Sequence, residues 1–235
     1  MASTQRTPVS NQLLNDLPSS DLHQLMAGLE TVELAFNDVL YVPGKRLSHV
    51  YFPLRGVISL IMPVDAEASL EVGLVGGEGM FGVPLALGVD VSPVRAIVQG
   101  EGSAMRMDAA GFCRQLDRSP ALQRIIRAYA FVQLSQLAQN AACTRFHVLE
   151  ARLARWLLMT QDRAHSNAFH ITQEFMALML GVRRVGVTKA ATSLQKHGLI
   201  HYSRGNITVL DRRGLKAASC GCYKADIDSY ERILG

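Results

Sequence analysis

All eight prolines and 12 of the 19 glycines lie in the first 120 residues, and neither residue occurs between Ala121 and Leu180. Proline fixes φ and lacks a backbone donor, and glycine frees the chain to turn, so together they cut a sequence into short elements. A long stretch without either favours long helices. One chain therefore carries two architectures. The front part opens with a helix over Asp21–Leu29 capped by Ser20. Short strands follow at Val32–Phe36, Val39–Val42, Val50–Phe52, Val57–Met62, Leu70–Val75, Ala96–Val98 and Ala104–Met107, bounded by Pro43-Gly44, Pro53, Pro63 and Gly76-Gly77. Many short strands at near-regular spacing predict an antiparallel β-roll, jelly-roll-like, that is either pure scaffold or the container of a ligand.

From Pro120, with Ser119 as its cap, the pattern becomes helical through Leu122, Ile125, Ile126, Tyr129, Val132, Gln136 and Leu137, to about Ala142. A helix of roughly 35 Å with an apolar stripe needs a partner surface. A second copy of the chain, forming a parallel two-helix seam, is the expected one, with Gln133, Gln136 and Asn140 as polar interruptions. The alternative is packing on its own β-roll, and both faces can be used. A second helix, Arg145–Arg163, carries Leu149, Leu153, Trp156, Leu157 and Met159. Trp156, the single tryptophan, reads as core. His165-Ser166-Asn167 reads as the loop into the next module.

That module is Ile171–Leu210. Phe175, Met176, Met179 and Leu180 recur at helical spacing and Gly181 interrupts. Val187, Ala190, Ala191 and Leu194 then sit at i, i+3, i+4 and i+7. Two short amphipathic helices around a glycine turn make a helix-turn-helix. Opposite the second stripe lie Arg184, Val185, Thr188, Lys189 and Thr192, on the part of a recognition helix that reaches base edges. His201–Val209 reads as strand, Gly205-Asn206 turn, strand: a wing, with Arg204 at its tip near phosphate.

Charge supports a nucleic-acid partner for this end alone. The net charge is +4, yet residues 1–120 hold 8 Lys/Arg against 13 Asp/Glu, and residues 181–235 hold 10 against 4. Hydrophobic residues make up 49 % and charged residues 19 %, which excludes disorder. No apolar run approaches the roughly 18 residues of a membrane span, and the first twenty residues lack the apolar core of a signal peptide, so a cytoplasmic location is expected. Cys113, Cys143, Cys220 and Cys222 are too scattered for a disulfide framework. Cys220-x-Cys222 supplies two metal ligands where a structural zinc site needs four, so no metal is expected. The plainer reading is one buried and one exposed thiol. A cupin-like enzyme would need clustered histidines, and the first 120 residues hold only His23 and His49. No enzyme is expected. An adaptor whose helix-turn-helix contacts protein is disfavoured by the eight basic residues and single acid between Gly181 and Lys216.

Roll, long helix and winged helix-turn-helix together resemble the Crp/Fnr family of bacterial transcription regulators. The resemblance spans residues 12 to 215 and rests on Ile171-Thr172-Gln173-Glu174, Gly181-Val182-Arg183-Arg184, Leu194, Gly198-Leu199-Ile200 and Arg204-Gly205-Asn206-Ile207. In the front part Val39–Gly44, Tyr51-Phe52-Pro53 and Gly56–Ser59 look like the family's opening strands. It implies an α+β chain divided at 1–118 (cyclic-nucleotide-binding-like β-roll), 119–144 (dimerisation helix) and 145–235 (winged helix-turn-helix). It further implies a homodimer on a palindromic site of double-stranded DNA, with RNA polymerase as a further partner.

By the same resemblance, Thr172 and Gln173 fall where the family contacts phosphate, Arg184 matches the guanine-reading arginine, and Arg183 and Lys189 add basic contacts. Val185 departs from a common glutamate, and an apolar side chain there suits a thymine methyl. In the roll, Val83 replaces the ribose-binding glutamate and Pro93-Val94 replaces the phosphate-binding pair. Arg95 reaches that position only with a register shift. Gly82, Val83 and Arg95 are the candidate effector residues; cyclic AMP in the usual mode is not expected, and no cofactor is identified. The first 112 residues contain no cysteine, which excludes an N-terminal iron–sulfur cluster.

Overall fold

A computed structural model describes residues 11–65 and 68–235. The first element, α1 (Gln12–Asn15), has no counterpart in the sequence reading. Asn11 caps it and is itself buried, donating from Nδ2 to the carbonyls of Pro53 (3.0 Å) and Gly79 (2.8 Å). One polar side chain thereby staples the turn to the roll. Next, α2 (Ser19–Met26) begins two residues earlier than the sequence suggests. Pro18 occupies the cap position, while the Ser20 hydroxyl donates to Asp21.

The roll follows as β1 (Glu30–Leu34), β2 (Val39–Tyr41), β3 (His49–Pro63) and β4 (Ser69–Val75), then α3 (Val83–Ala86), β5 (Arg95–Asp108) and α4 (Ala109–Arg118). All pairings are antiparallel, in the order β1-β5-β3-β4, with β2 also on β5. The seven expected strands are therefore five. Val50–Phe52 and Val57–Met62 are one strand, as are Ala96–Val98 and Ala104–Met107. Pro53 and Gly56 do not end β3, because register shifts on either side of Arg55 absorb them as bulges. Gly56 has φ +89°, and a Cβ there would stand 2.5 Å from the Gly100 carbonyl; a Cβ on Gly102 would meet the Arg55 carbonyl at 2.3 Å. These glycines permit a close crossing of two long strands.

Ser119 caps α5 (Pro120–Phe146), its hydroxyl accepting from Leu122 N at 3.0 Å. At 27 residues the helix is about 40 Å long. Its inner face, Leu122, Ile125, Ile126, Tyr129 and Val132, is buried, and all but Val132 belong to the roll's core cluster. The seam expected through Ile126 is therefore an intramolecular one. Gln133 and Asn140 also turn inward, donating to Tyr129 Oη and the Glu71 carbonyl. The outer face leaves Phe131 and Leu134 exposed.

The chain then breaks at His147 into α6 (Leu149–Ala164), β6 (Ala168–His170), α7 (Gln173–Leu180), α8 (Arg184–Lys196), β7 (Ile200–Ser203), β8 (Asn206–Val209), α9 (Arg212–Ala218) and α10 (Cys222–Leu234). A second core joins Leu153, Trp156, Leu157, Met176, Val187, Leu194 and Leu215, and it also takes Val57, Ile61 and Leu74 from the roll. The indole N–H of Trp156 donates to the buried Glu71 on β4 at 2.7 Å. Finally α10 leaves the winged module and packs along α5. It is fixed by the buried Arg155–Asp226 ion pair (2.6 Å) and by Tyr230 Oη donating to the Glu78 carbonyl (2.7 Å). Among the described residues no helix is long and apolar enough to cross a membrane.

Candidate nucleic-acid interface

Thr172 starts α7 as expected, its hydroxyl accepting from Phe175 N at 3.1 Å. Gly181 ends the helix in the left-handed region (φ +63°), and Val182 N donates back to the Ala177 carbonyl at 3.0 Å. This compact cap sets the angle at which α8 leaves. Val187, Ala190, Ala191 and Leu194 of α8 are buried. Gly186 faces Leu149 so closely that a Cβ would approach its Cδ2 to 2.9 Å, so α8 sits hard against the start of α6.

The opposite face is open. Arg183, Arg184, Val185, Lys189 and Thr192 are exposed, with Val185 at 65 %. Thr188 is half-buried and donates to Gln173 Oε1 at 2.8 Å, and Arg184 Nε reaches the same oxygen at 3.4 Å. Arg184 also pairs with Glu174 at 2.7 Å, both side chains more than 60 % exposed. Gln173, Arg184 and Thr188 are thus one polar cluster at the entrance of α8.

β6 joins the hairpin, so the wing is a three-stranded sheet in the order β6-β8-β7. Ser203 pairs with Asn206, which puts Arg204 (φ +51°) and Gly205 (φ +82°) in the turn. The turn is therefore Arg204-Gly205, one residue earlier than the Gly205-Asn206 turn expected. Two successive left-handed residues match the twist of the flanking strands. Gly205 is required there, since a Cβ would stand 2.8 Å from the His170 ring. The His170 ring also contacts Asn206 at 3.1 Å and Phe36 of the roll edge-on, 6.1 Å between centroids. In the sequence nothing distinguishes His170 from any loop histidine. On the wing's inner side, burial pushes the Tyr202 phenol up, with Glu174 adding to the effect.

Against this geometry, residues 151–218 match the Crp-like helix-turn-helix domain family. Residues 151–218 are a Crp-like helix-turn-helix domain. The Crp-like domain supplies DNA binding, and the chain around it has the fold of Crp/Fnr transcription regulators. A Crp/Fnr-family transcriptional regulator from Eubacterium rectale superposes with a TM-score of 0.70 at 18 % identity, covering 89 % of this chain and 98 % of that one. FixK2 from Bradyrhizobium japonicum gives 0.69 at 13 % identity, over 82 % and 98 %. TTHA1359, a Crp/Fnr-family regulator from Thermus thermophilus, gives 0.65 at 25 % identity, over 81 % and 98 %. No curated protein matches the sequence. The Eubacterium rectale protein and TTHA1359 are both named as transcriptional regulators.

Ahead of the Crp-like domain, a cavity of about 250 Å³ lies between the roll and α5. Gly82 and Val83 line it, as expected, with Met80, Phe81, Leu74 and Leu137. Arg95 is exposed and does not reach it, so the register shift that would bring it inward is not made. Behind the Crp-like domain, Cys220 and Cys222 are both buried, not one in and one out. Cys143 and His147 of the α5 terminus meet them there.

Proposed function

We propose that the protein is a homodimeric DNA-binding transcription regulator that reads a two-fold symmetric site, one α8 entering the major groove per half-site. The observation that carries the reading is the divided face of α8: one side buried in the second core, the other presenting Arg183, Arg184, Val185, Lys189 and Thr192 to solvent. Arg184 would read guanine, Val185 would touch a thymine methyl, and Thr172, Gln173 and Arg204 would hold phosphate. The dimer is supported by the outer face of α5. There Phe131, Leu134, Ala138 and Ala141 lie exposed at alternating three- and four-residue spacing, the a/d pattern of a two-helix seam. RNA polymerase is a further partner in this reading where the protein activates.

The cavity under α5 favours gating by a small apolar molecule over a purely structural roll, because Leu137 of the same helix lines it. None of its lining side chains is charged. A cyclic nucleotide phosphate buried there would lack a counter-charge, which speaks against cyclic AMP in the usual mode. Selecting bound sequences from a random DNA pool, with and without cell extract, tests the reading. Inverted half-sites about one helical turn apart are expected. Single, unpaired half-sites would overturn the dimer, and no enrichment at all would overturn DNA reading.

A further inference from the structure

Three elements distant in sequence bring four soft ligands together. Cys143 lies in the last turn of α5 and His147 ends that helix four residues later, so both project from one face. Cys220 and Cys222 sit at the corner between α9 and α10. One ligand atom from each of the four lies within 4.8 Å of all the others. Cys143 Sγ and Cys220 Sγ are 3.5 Å apart, and Cys222 Sγ and His147 Nδ1 are 3.4 Å apart.

Two of the six separations can be compared with a tetrahedral zinc site. With Zn–S near 2.3 Å and Zn–N near 2.05 Å, the edges of a tetrahedron are about 3.8 Å between two sulfurs and about 3.6 Å between sulfur and nitrogen. The observed edges are within about 0.3 Å of both. An iron–sulfur cluster would hold its cysteines farther apart around several metal atoms, so the spacing fits a single ion.

We propose that Cys143, His147, Cys220 and Cys222 form a Cys₃His site for one zinc ion. Three thiols give their protons to solvent, neutral His147 donates the lone pair of one ring nitrogen, and the site carries one net negative charge. The guanidinium groups of Arg152 and Arg155 lie beside Cys143 to offset it. Gln139, one turn earlier on α5, donates from Nε2 to Cys222 Sγ at 2.9 Å, the kind of outer hydrogen bond that orients a ligating thiolate. The less buried His147 leaves a side for the ion to enter. Once bound, zinc ties the end of α5 to the α9–α10 corner. Arg152 extends that tie to the recognition unit by donating to the Leu180 carbonyl at the end of α7 (2.6 Å).

The test uses the full chain, kept reduced with a phosphine, and titrates zinc against a chromophoric chelator. About one tightly held equivalent per chain is expected. Cobalt(II) in its place should give thiolate charge-transfer bands and the visible bands of a tetrahedral ion. Cys143→Ser and Cys222→Ser should each weaken binding by roughly 100-fold or more, while Cys113→Ser, outside the cluster, should leave it unchanged. Circular dichroism would confirm that the variants fold. His147→Cys should retain the ion and strengthen the cobalt charge-transfer band, a result that loss of folding cannot mimic. Absence of stoichiometric zinc in the folded wild-type protein would overturn the proposal, as would an octahedral cobalt spectrum. With the phosphine removed and oxygen admitted as oxidant, rapid formation of a Cys143–Cys220 disulfide despite added zinc would overturn it in favour of a thiol pair. None of these readouts requires DNA.

Discussion

In the free protein the Arg184 guanidinium is engaged by Glu174 at 2.7 Å and by Gln173, yet both partners of the ion pair are solvated. An exposed pair of this kind contributes about 0–1 kcal/mol, so it orients the side chain without holding it back from a base. Arg184→Ala should therefore cost about 1–3 kcal/mol of specific affinity and relax preference at one base pair, read by competition binding on single-position operator variants. Unchanged preference would displace the recognition role from Arg184. A second residue matters for a different reason. Glu71 is buried where the roll meets α6, accepting from Ser59 and from Trp156, and burial pushes its carboxyl up to about 7 from an ordinary 4.5. Below pH 4.5 the group is protonated folded and unfolded alike. As pH rises from about 4.5 to about 7 the unfolded chain loses the proton first, so stability falls through that window and is flat above it. The span corresponds to roughly 3 kcal/mol. Glu71→Gln keeps an acceptor for Trp156 and adds a donor for Ser59, so the fall in melting temperature that Glu71 causes over this window should vanish, leaving the variant above wild type at pH 8. A wild-type slope persisting in the variant would assign the titration elsewhere.

At the scale of elements, α5 is the helix with two obligations. Its inner face, with Ile126 fully buried, closes the roll; its outer face, with Phe131 and Leu134 about 60 % exposed, is free. The two faces predict different failures. If the proposed dimer forms through this face, Leu134→Asp should leave the secondary structure and melting temperature near wild type while shifting mass to the monomer by light scattering, with DNA affinity lost in parallel. Ile126→Asp should instead unfold the roll, because a carboxylate placed in that core has no partner. If Leu134→Asp stayed dimeric, the seam would lie elsewhere. Periodicity predicted that α5 exists and where it begins, down to the Ser119 cap, but one apolar stripe could not tell two contact surfaces apart. The strands show the same limit. Pro53 and Gly56 are read locally as strand ends, whereas in β3 they are bulges whose cost is offset by pairing along β5.

At the scale of the molecule, the acidic roll and the basic reading unit are not loosely tethered. Met179 of α7 meets Ser59, Gly181 approaches Leu70, His170 meets Phe36 edge-on and Arg163 pairs with Glu78 at 2.7 Å. Movement of the roll would be felt at the turn between α7 and α8. The field of the whole chain also steers: with eight basic residues between Gly181 and Lys216, raising salt from about 50 to 200 mM should weaken DNA binding by at least about 100-fold. A salt-independent affinity in a fluorescence-anisotropy titration would remove the phosphate contacts from the interface.

Local order is legible in the sequence. The buried and open faces of α8, the Thr172 cap, the glycine that ends α7 and the basic bias of the C-terminal end all follow from spacing and residue type, because each depends on neighbours within a turn or two. The conformation of the Arg204-Gly205 turn, the burial of Ile126 in its own roll, the outward Arg95 and the continuity of β3 depend on pairing across tens of residues. The gathering of Cys143, His147, Cys220 and Cys222 is the extreme case. Cys220-x-Cys222 offers two ligands in sequence, and only the packing of α10 back along α5 brings in the other pair. Residue chemistry and periodicity settled what each segment is; the distances closed by tertiary packing settled which segments act together.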